Sequence, residues 1–157
     1  PRGGQEALNE ALEVLAVRLA DEGVPLAGLA LHPKQDAPAL ERLAQRAPAL
    51  EVRRAGSPAA ALRAMADARY VVSVRLHGCI LAARLGIGFA GLSYDPKVKG
   101  FLAQASAPAF SRPVDQKALL DLVRAAPPCE DHAVEHLTRL AAEGLDWLAA
   151  TLRAGAA

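Results

Sequence analysis

Arg75, His77, Tyr94, Asp95 and Lys97 fall within one short stretch and bring together a guanidinium, an imidazole, a phenol, a carboxylate and an ammonium. The stretch reads Ser-Val-Arg-Leu-His at 73–77 and Leu-Ser-Tyr-Asp-Pro-Lys-Val at 92–98. A guanidinium holds a carboxylate or phosphate in a two-pronged fork. An imidazole that titrates near neutrality donates a proton and recovers it. A lysine pairs with a departing anion, and a carboxylate accepts a proton from a hydroxyl. These residue types suit an anionic substrate, a phosphate or a carboxylate, with proton transfer on it. Each also has a plain structural use. Arg75 can end a strand at the surface, and His77 can cap a helix. Asp95 before Pro96 is fully explained as a helix cap.

The surrounding elements decide where these groups stand. Tyr70-Val71-Val72 is short and uncharged, which predicts a strand over 70–74, central and deeply buried in a parallel sheet. Apolar residues at 76, 80, 81 and 85 predict a helix over 76–85, ended by Gly86 and Gly88. The next strand is 89–92, parallel to the first. Asp95-Pro96 then reads as a cap with proline at the first helical position. Arg75 and His77 therefore lie where one strand becomes a helix, and Tyr94, Asp95 and Lys97 where the next one does. Helix N-termini favour anions. The C-terminal ends of strands are also where open α/β sheets bind ligands. Lys99 is read as pointing to solvent, and Arg112 as a weaker anion contact.

The whole chain alternates in the same way. Helices are predicted over 5–21, 36–46 with Asp36 as cap, 57–66 with Ser57 as cap, 96–104, 115–124 with Asp115 as cap, and 130–152. Strands are predicted over 25–31, 50–52 and, weakly, 109–110. This rhythm predicts a Rossmann-like α/β domain, a parallel sheet with helices on both faces. The chain has 157 residues, 52% hydrophobic, enough for one domain with its own core. A net charge of +1 and 4% aromatic residues argue against nucleic acid as a partner. No apolar run reaches the ~18 residues of a membrane span. Pro1-Arg2-Gly3-Gly4 leads into an amphipathic helix, so no signal peptide is expected. Cys79 and Cys129 make no disulfide framework, and Cys79 reads as a small core residue.

Arg75-Leu76-His77 followed by Gly91-Leu92-Ser93-Tyr94-Asp95-Pro96-Lys97-Val98 resembles the C-terminal half of bacterial polysaccharide pyruvyltransferases of the CsaB type. Gly78-Cys79 and Gly88 depart from the pattern, which has bulkier residues and a proline there. The resemblance implies the C-terminal domain of a GT-B-like fold, with an N-terminal domain and a strand upstream of Pro1. It implies pyruvate transfer from phosphoenolpyruvate onto two hydroxyls of a sugar as a ketal. In CsaB-type members the acceptor is cell-wall polysaccharide or its lipid-linked precursor, and the product anchors S-layer proteins. Arg75, Leu76, Tyr94 and Lys97 are then expected to bind substrate, and His77 and Asp95 to move protons. No metal or other cofactor is called for. The expected place is the cytoplasm, with the inner face of the membrane as an option. An α/β domain parted from its other half is expected to leave apolar surface and to associate with itself.

Two rivals remain at this point. One is a GT-B glycosyltransferase or sugar-nucleotide epimerase holding a uridine diphosphate sugar at the same strand ends. The other is a non-catalytic module that binds an anion or sugar. Two motif matches are set aside. Gly86-Ile-Gly88-Phe-Ala-Gly91 has the letters of a dinucleotide fingerprint, but follows a helix and enters a strand, the reverse of what that motif needs. His132-Ala-Val-Glu135-His136 has the letters of an inverted zincin, with Cys129 as a possible third ligand, but little sequence follows to supply the carboxylate ligand that motif takes from a downstream helix. It reads as the polar first turn of an amphipathic helix.

Overall fold

Val71 and Val72 leave opposite faces of one strand, as successive strand residues must, and each enters a different core. Val71 joins Met65, Cys79, Ala82, Phe89, Val98 and Leu102. Val72 joins Leu8, Leu15, Leu92 and Leu119. A single layer of strands thus separates two layers of helices. The computed structural model describes residues 2–92, 95–130, 134–136, 138–139 and 142–143, with the backbone alone for 2–5.

In chain order the elements are α1 (Arg2–Asp21), β1 (Leu26–Ala30), α2 (Pro33–Arg46), β2 (Leu50–Arg54), α3 (Pro58–Met65), β3 (Tyr70–Ser73), α4 (Leu76–Arg84), β4 (Gly88–Leu92), α5 (Pro96–Gln104), β5 (Ala109–Phe110) and α6 (Gln116–Ala125). Every strand pairing is parallel, in two hydrogen-bonded ladders, β1–β2 and β3–β4–β5. Leu29 and Leu26 of β1 pack into the same two cores as Val71 and Val72 of β3. No ladder joins β1 to β3, and the two ladders meet through the cores they share. Helices α1, α2 and α6 cover one face, and α3, α4 and α5 the other. The fold is Rossmann-like α/β.

Local chemistry accounts for the element ends. Ser57, Asp95 and Asp115 each accept a backbone N–H of the helix that follows, from Ala60, Lys97 and Ala118. Gly86 takes a φ of +68° directly after α4, so the first glycine of the dinucleotide-like motif is a helix stop and the others lie in β4. Leu92, Leu102 and Leu119 are fully buried, and such a side chain contributes about 1.5–3 kcal/mol relative to exposure.

Three expectations need correction. The strand over 89–92 is deeply buried, as expected, but β3 is only half-buried along its length. It ends its own ladder, and among the described residues no strand hydrogen-bonds to its other side. Asp36 is not the cap of α2. The helix begins earlier, at Pro33, whose fixed φ suits the first helical position, and His32 is the cap residue. β2 runs to Arg54, because its parallel ladder with β1 continues through Leu29–Arg53 to Ala30–Arg54. Residues 134–136, 138–139 and 142–143 are helical, and the rest of the stretch expected as a last helix lies outside the described residues.

Candidate functional site

The chain leaves β1 for α2 on one face of the sheet and leaves β3 for α4 on the other. Where neighbouring strands send their helices to opposite faces, the two helix N-termini splay apart and open a crevice beyond the carboxyl ends of the strands. Here that crevice lies between the N-termini of α2 and α4, which the Arg75–Asp36 pair spans. Arg75 stands in it as the N-cap residue of α4, two residues past the end of β3.

Arg75 is firmly held. The Ser73 hydroxyl accepts the Arg75 N–H at 3.0 Å and donates to the Arg75 carbonyl at 2.9 Å, closing a small ring around the turn. The guanidinium reaches across the crevice to the first turn of α2. Its Nε donates to Asp36 Oδ1 at 2.9 Å, its Nη2 donates to the same oxygen, and Nη2 also donates to Gln35 Oε1 at 3.2 Å. Asp36 is pinned from behind, since its Oδ2 accepts the His32 backbone N–H at 2.7 Å. Gly78 makes the Ser73 ring possible, because a Cβ there would run into Ser73 Oγ. The departure from the family pattern at Gly78 thus has a local steric reason. Gly88 has one too, since a Cβ there would strike the Pro127 carbonyl oxygen.

The N-terminus of α4 carries no side-chain cap, unlike α3, α5 and α6. Its first backbone N–H groups and the positive end of its dipole therefore face the crevice without a protein acceptor from the cap. Leu76 is half-buried against the α4 core, and His77 is exposed one residue further on. No hydrogen bond ties the His77 ring to the described residues.

The second turn stands on the other side, past β4. Asp95 caps α5, accepting the Lys97 N–H at 2.8 Å, and both side chains are exposed. The side-by-side pairing of Ser73 with Gly91 brings this turn to the same edge of the sheet as Arg75. No hydrogen bond or ion pair joins Arg75, His77 and Lys97, and the Arg75 guanidinium is turned toward α2, away from α5. Their kinship is a shared sheet edge, not contact. Tyr94 lies outside the described residues. Arg112 is exposed beyond the end of β5.

Reading the sequence alone missed Asp36, Gln35 and Ser73. Asp36 had a signal, since it follows a strand at the same sheet edge. The capping rule absorbed it.

Other chemistry near the site is restricted. Cys79, in the second turn of α4, is wholly buried, and that burial pushes its thiol up to about 11, which leaves it no nucleophile at neutral pH. Among the described residues no three His, Cys, Asp or Glu side chains gather as metal ligands. His132 lies outside them, and His136 Nδ1 accepts from Arg139 Nη2 at 3.0 Å. Two surface hollows flank α1, one lined by Glu13, Val17 and Arg46 and the other by Gln116, Lys117 and Leu120, and neither includes Arg75 or His77. Of the large apolar side chains described, Val14, Val24 and Ile80 are exposed. No described helix is long and apolar enough to cross a membrane.

No curated protein and no solved structure matches the chain. Residues 1–96 match the polysaccharide pyruvyl transferase family. The match takes in β1 through β4, the Asp36–Arg75 crevice, Leu76, His77 and Asp95, and stops one residue short of Lys97. On that span, which is well over half of the 157 residues, the chain belongs to the polysaccharide pyruvyl transferase family.

Proposed function

We propose that this chain forms the donor site of an enzyme that moves pyruvate from phosphoenolpyruvate onto a cell-wall polysaccharide sugar, of the CsaB type that makes S-layer anchoring glycans. Family membership implies the donor and a polysaccharide acceptor. It also favours pyruvyl transfer over the sugar-nucleotide alternative. The observation that carries the reading is the uncapped N-terminus of α4, opening on the crevice with Arg75 at its cap position and His77 in its first turn. A donor with a phosphate and a carboxylate fits backbone N–H groups and a guanidinium better than a neutral ligand does.

The chemistry assigns roles. A proton adds to the methylene carbon of phosphoenolpyruvate, and the central carbon becomes electrophilic. One sugar hydroxyl adds there and gives up its proton. The C–O bond to phosphate breaks, phosphate leaves with its electron pair, and the second hydroxyl closes the ketal and gives up its own proton. Two protons leave the sugar, one ends on the new methyl group, and the other ends on phosphate. In this reading His77 delivers the proton to carbon, exposed and free to exchange with solvent. Arg75 and Leu76 line the donor. Lys97 and Tyr94 serve the phosphate and the sugar from the second turn, and Asp95 is the alternative proton carrier. The work takes place in the cytoplasm, on a lipid-linked or nascent glycan.

The first test is titration calorimetry of the 157-residue chain with phosphoenolpyruvate and, separately, with a uridine diphosphate sugar. Heat from phosphoenolpyruvate that disappears in Arg75→Ala supports the reading. Binding of the nucleotide sugar in its place overturns it. The second test is release of phosphate and formation of a ketal when cell-wall glycan is added to the full-length enzyme.

A further inference from the structure

Three of the five N–H donors of Arg75 are spent on α2, two on Asp36 and one on Gln35. The two on Nη1 have no partner among the described residues. The planar guanidinium fixes where they go. With the Nε–Nη2 edge turned toward Asp36, the Nη1 protons project from the far side of the same plane.

The two partners are unequal. The Asp36 side chain is 15% exposed and that of Arg75 is 41% exposed. Asp36 is anchored by the His32 N–H whether or not Arg75 is present, and it sits in the first turn of α2, where the helix dipole favours negative charge. Arg75 is a long side chain with several rotatable bonds and, without a holder, would sweep through the crevice. The pinned carboxylate is the fixed point and the guanidinium the group that is set. An anion arriving at Nη1 need not displace Asp36, since it uses different N–H groups.

We propose that Asp36, assisted by Gln35, is a positioning residue that holds one edge of the Arg75 guanidinium so that its free Nη1 protons meet the anionic end of the donor. The inference rests on the phosphoenolpyruvate reading for the identity of that anion. It extends the site across the crevice, from the two turns after β3 and β4 to the turn after β1.

The test uses Asp36→Asn in the 157-residue chain. Asparagine keeps an oxygen to accept the His32 N–H, so the thermal midpoint should stay near native. It loses the charge that holds the guanidinium. Phosphoenolpyruvate affinity, by calorimetry, should fall on the order of 10-fold. In an Arg75→Lys background the same change should cost much less, because the fork it orients is gone. Without any ligand, the Arg75 Nε–H resonance should be visible and slow to exchange in the native chain, and lost in Asp36→Asn. Tighter phosphoenolpyruvate binding in Asp36→Asn would mean that the carboxylate competes with the donor, and overturns the proposal. So does an equal loss in the Arg75→Lys background, or an unchanged Nε–H signal. If the native chain binds no phosphoenolpyruvate while the Nε–H signal behaves as expected, the donor reading falls and the hold of Asp36 on Arg75 stands.

Discussion

The Ser73 hydroxyl both accepts from and donates to the backbone of Arg75, at 3.0 and 2.9 Å, and so fixes the turn from which α4 starts. That turn has room for Ser73 because position 78 has no side chain. Gly78→Ala therefore should drive a methyl group into the hydroxyl and destabilise the fold by about 1–3 kcal/mol, the usual cost of overpacking. Alanine is the better helix former, so helix propensity alone predicts the opposite sign. Urea unfolding decides between them. A midpoint at or above that of the native chain would show that the packing here is looser than described. Where the chain binds phosphoenolpyruvate, its affinity should fall together with the midpoint, since the displaced turn also carries Arg75.

Much of the architecture was legible because its signals are local. The β-branched pair at 71 and 72, the helical spacing from Leu76 to Leu85 and the caps at Ser57, Asp95 and Asp115 each need only a few neighbouring residues to be read. What was not legible depends on contacts distant in sequence. Nothing near Tyr70 says that β3 ends a ladder and is half-buried, because that is set by which strands pair with it and not by its own residues. The partner of Arg75 lies 39 residues away in α2. Asp36 does have a local duty, holding the backbone of the cap residue with one oxygen. The other oxygen holds the Arg75 guanidinium, and no local rule predicts that.

Alkaline pH should weaken the fold. Burial pushes the Cys79 thiol up to about 11 and the Tyr70 phenol up to about 12. In the unfolded chain they titrate near ~8.5 and ~10. Both are acids raised by folding, so as pH rises the unfolded chain sheds these protons first, and stability falls wherever it holds fewer of them. Their contribution is complete below pH ~8.5 and is lost progressively as pH climbs through the folded values. Tyr70→Phe should flatten the upper part of this fall. The Tyr70 hydroxyl is buried with no hydrogen-bond partner among the described residues, so phenylalanine should also hold or raise stability at neutral pH. Urea midpoints of both chains from pH 7 to 12 test this. A native midpoint that stays flat across the range contradicts it.

Arg75→Ala should act twice. It removes a charge-assisted anion contact, which in general contributes about 1.5–3 kcal/mol, so donor affinity should fall by about 10- to 150-fold. It also strands the Asp36 carboxylate, which is mostly buried, so stability should fall as well. Arg75→Lys separates the two effects. Lysine keeps the charge beside Asp36 and should fold with nearly native stability. It lacks the fork and cannot hold Asp36 and the donor together, so affinity should still drop. Calorimetry with phosphoenolpyruvate and a thermal melt, run on both variants, separate them. A lysine variant that binds the donor as the native chain does would leave Arg75 only a structural role.

On the proposed reading, His77 and Asp95 are the two candidates for moving the proton. Asp95 already has a duty, since its carboxylate accepts the Lys97 N–H and starts α5. Asparagine caps a helix about as well as aspartate, so Asp95→Asn should fold normally. It should also keep most of its turnover, if capping is what the residue does. His77 is exposed in the first turn of the uncapped helix, and no capping duty accounts for it. His77→Ala should lower turnover on the order of 100-fold or more, with donor affinity much less affected, as loss of a general acid does. The assay is ketal formation from phosphoenolpyruvate on cell-wall glycan, with donor binding measured separately. Near-normal turnover in His77→Ala together with a dead Asp95→Asn would reverse the roles. Asp95 would then act as both cap and base, and His77 would be a bystander at the crevice rim.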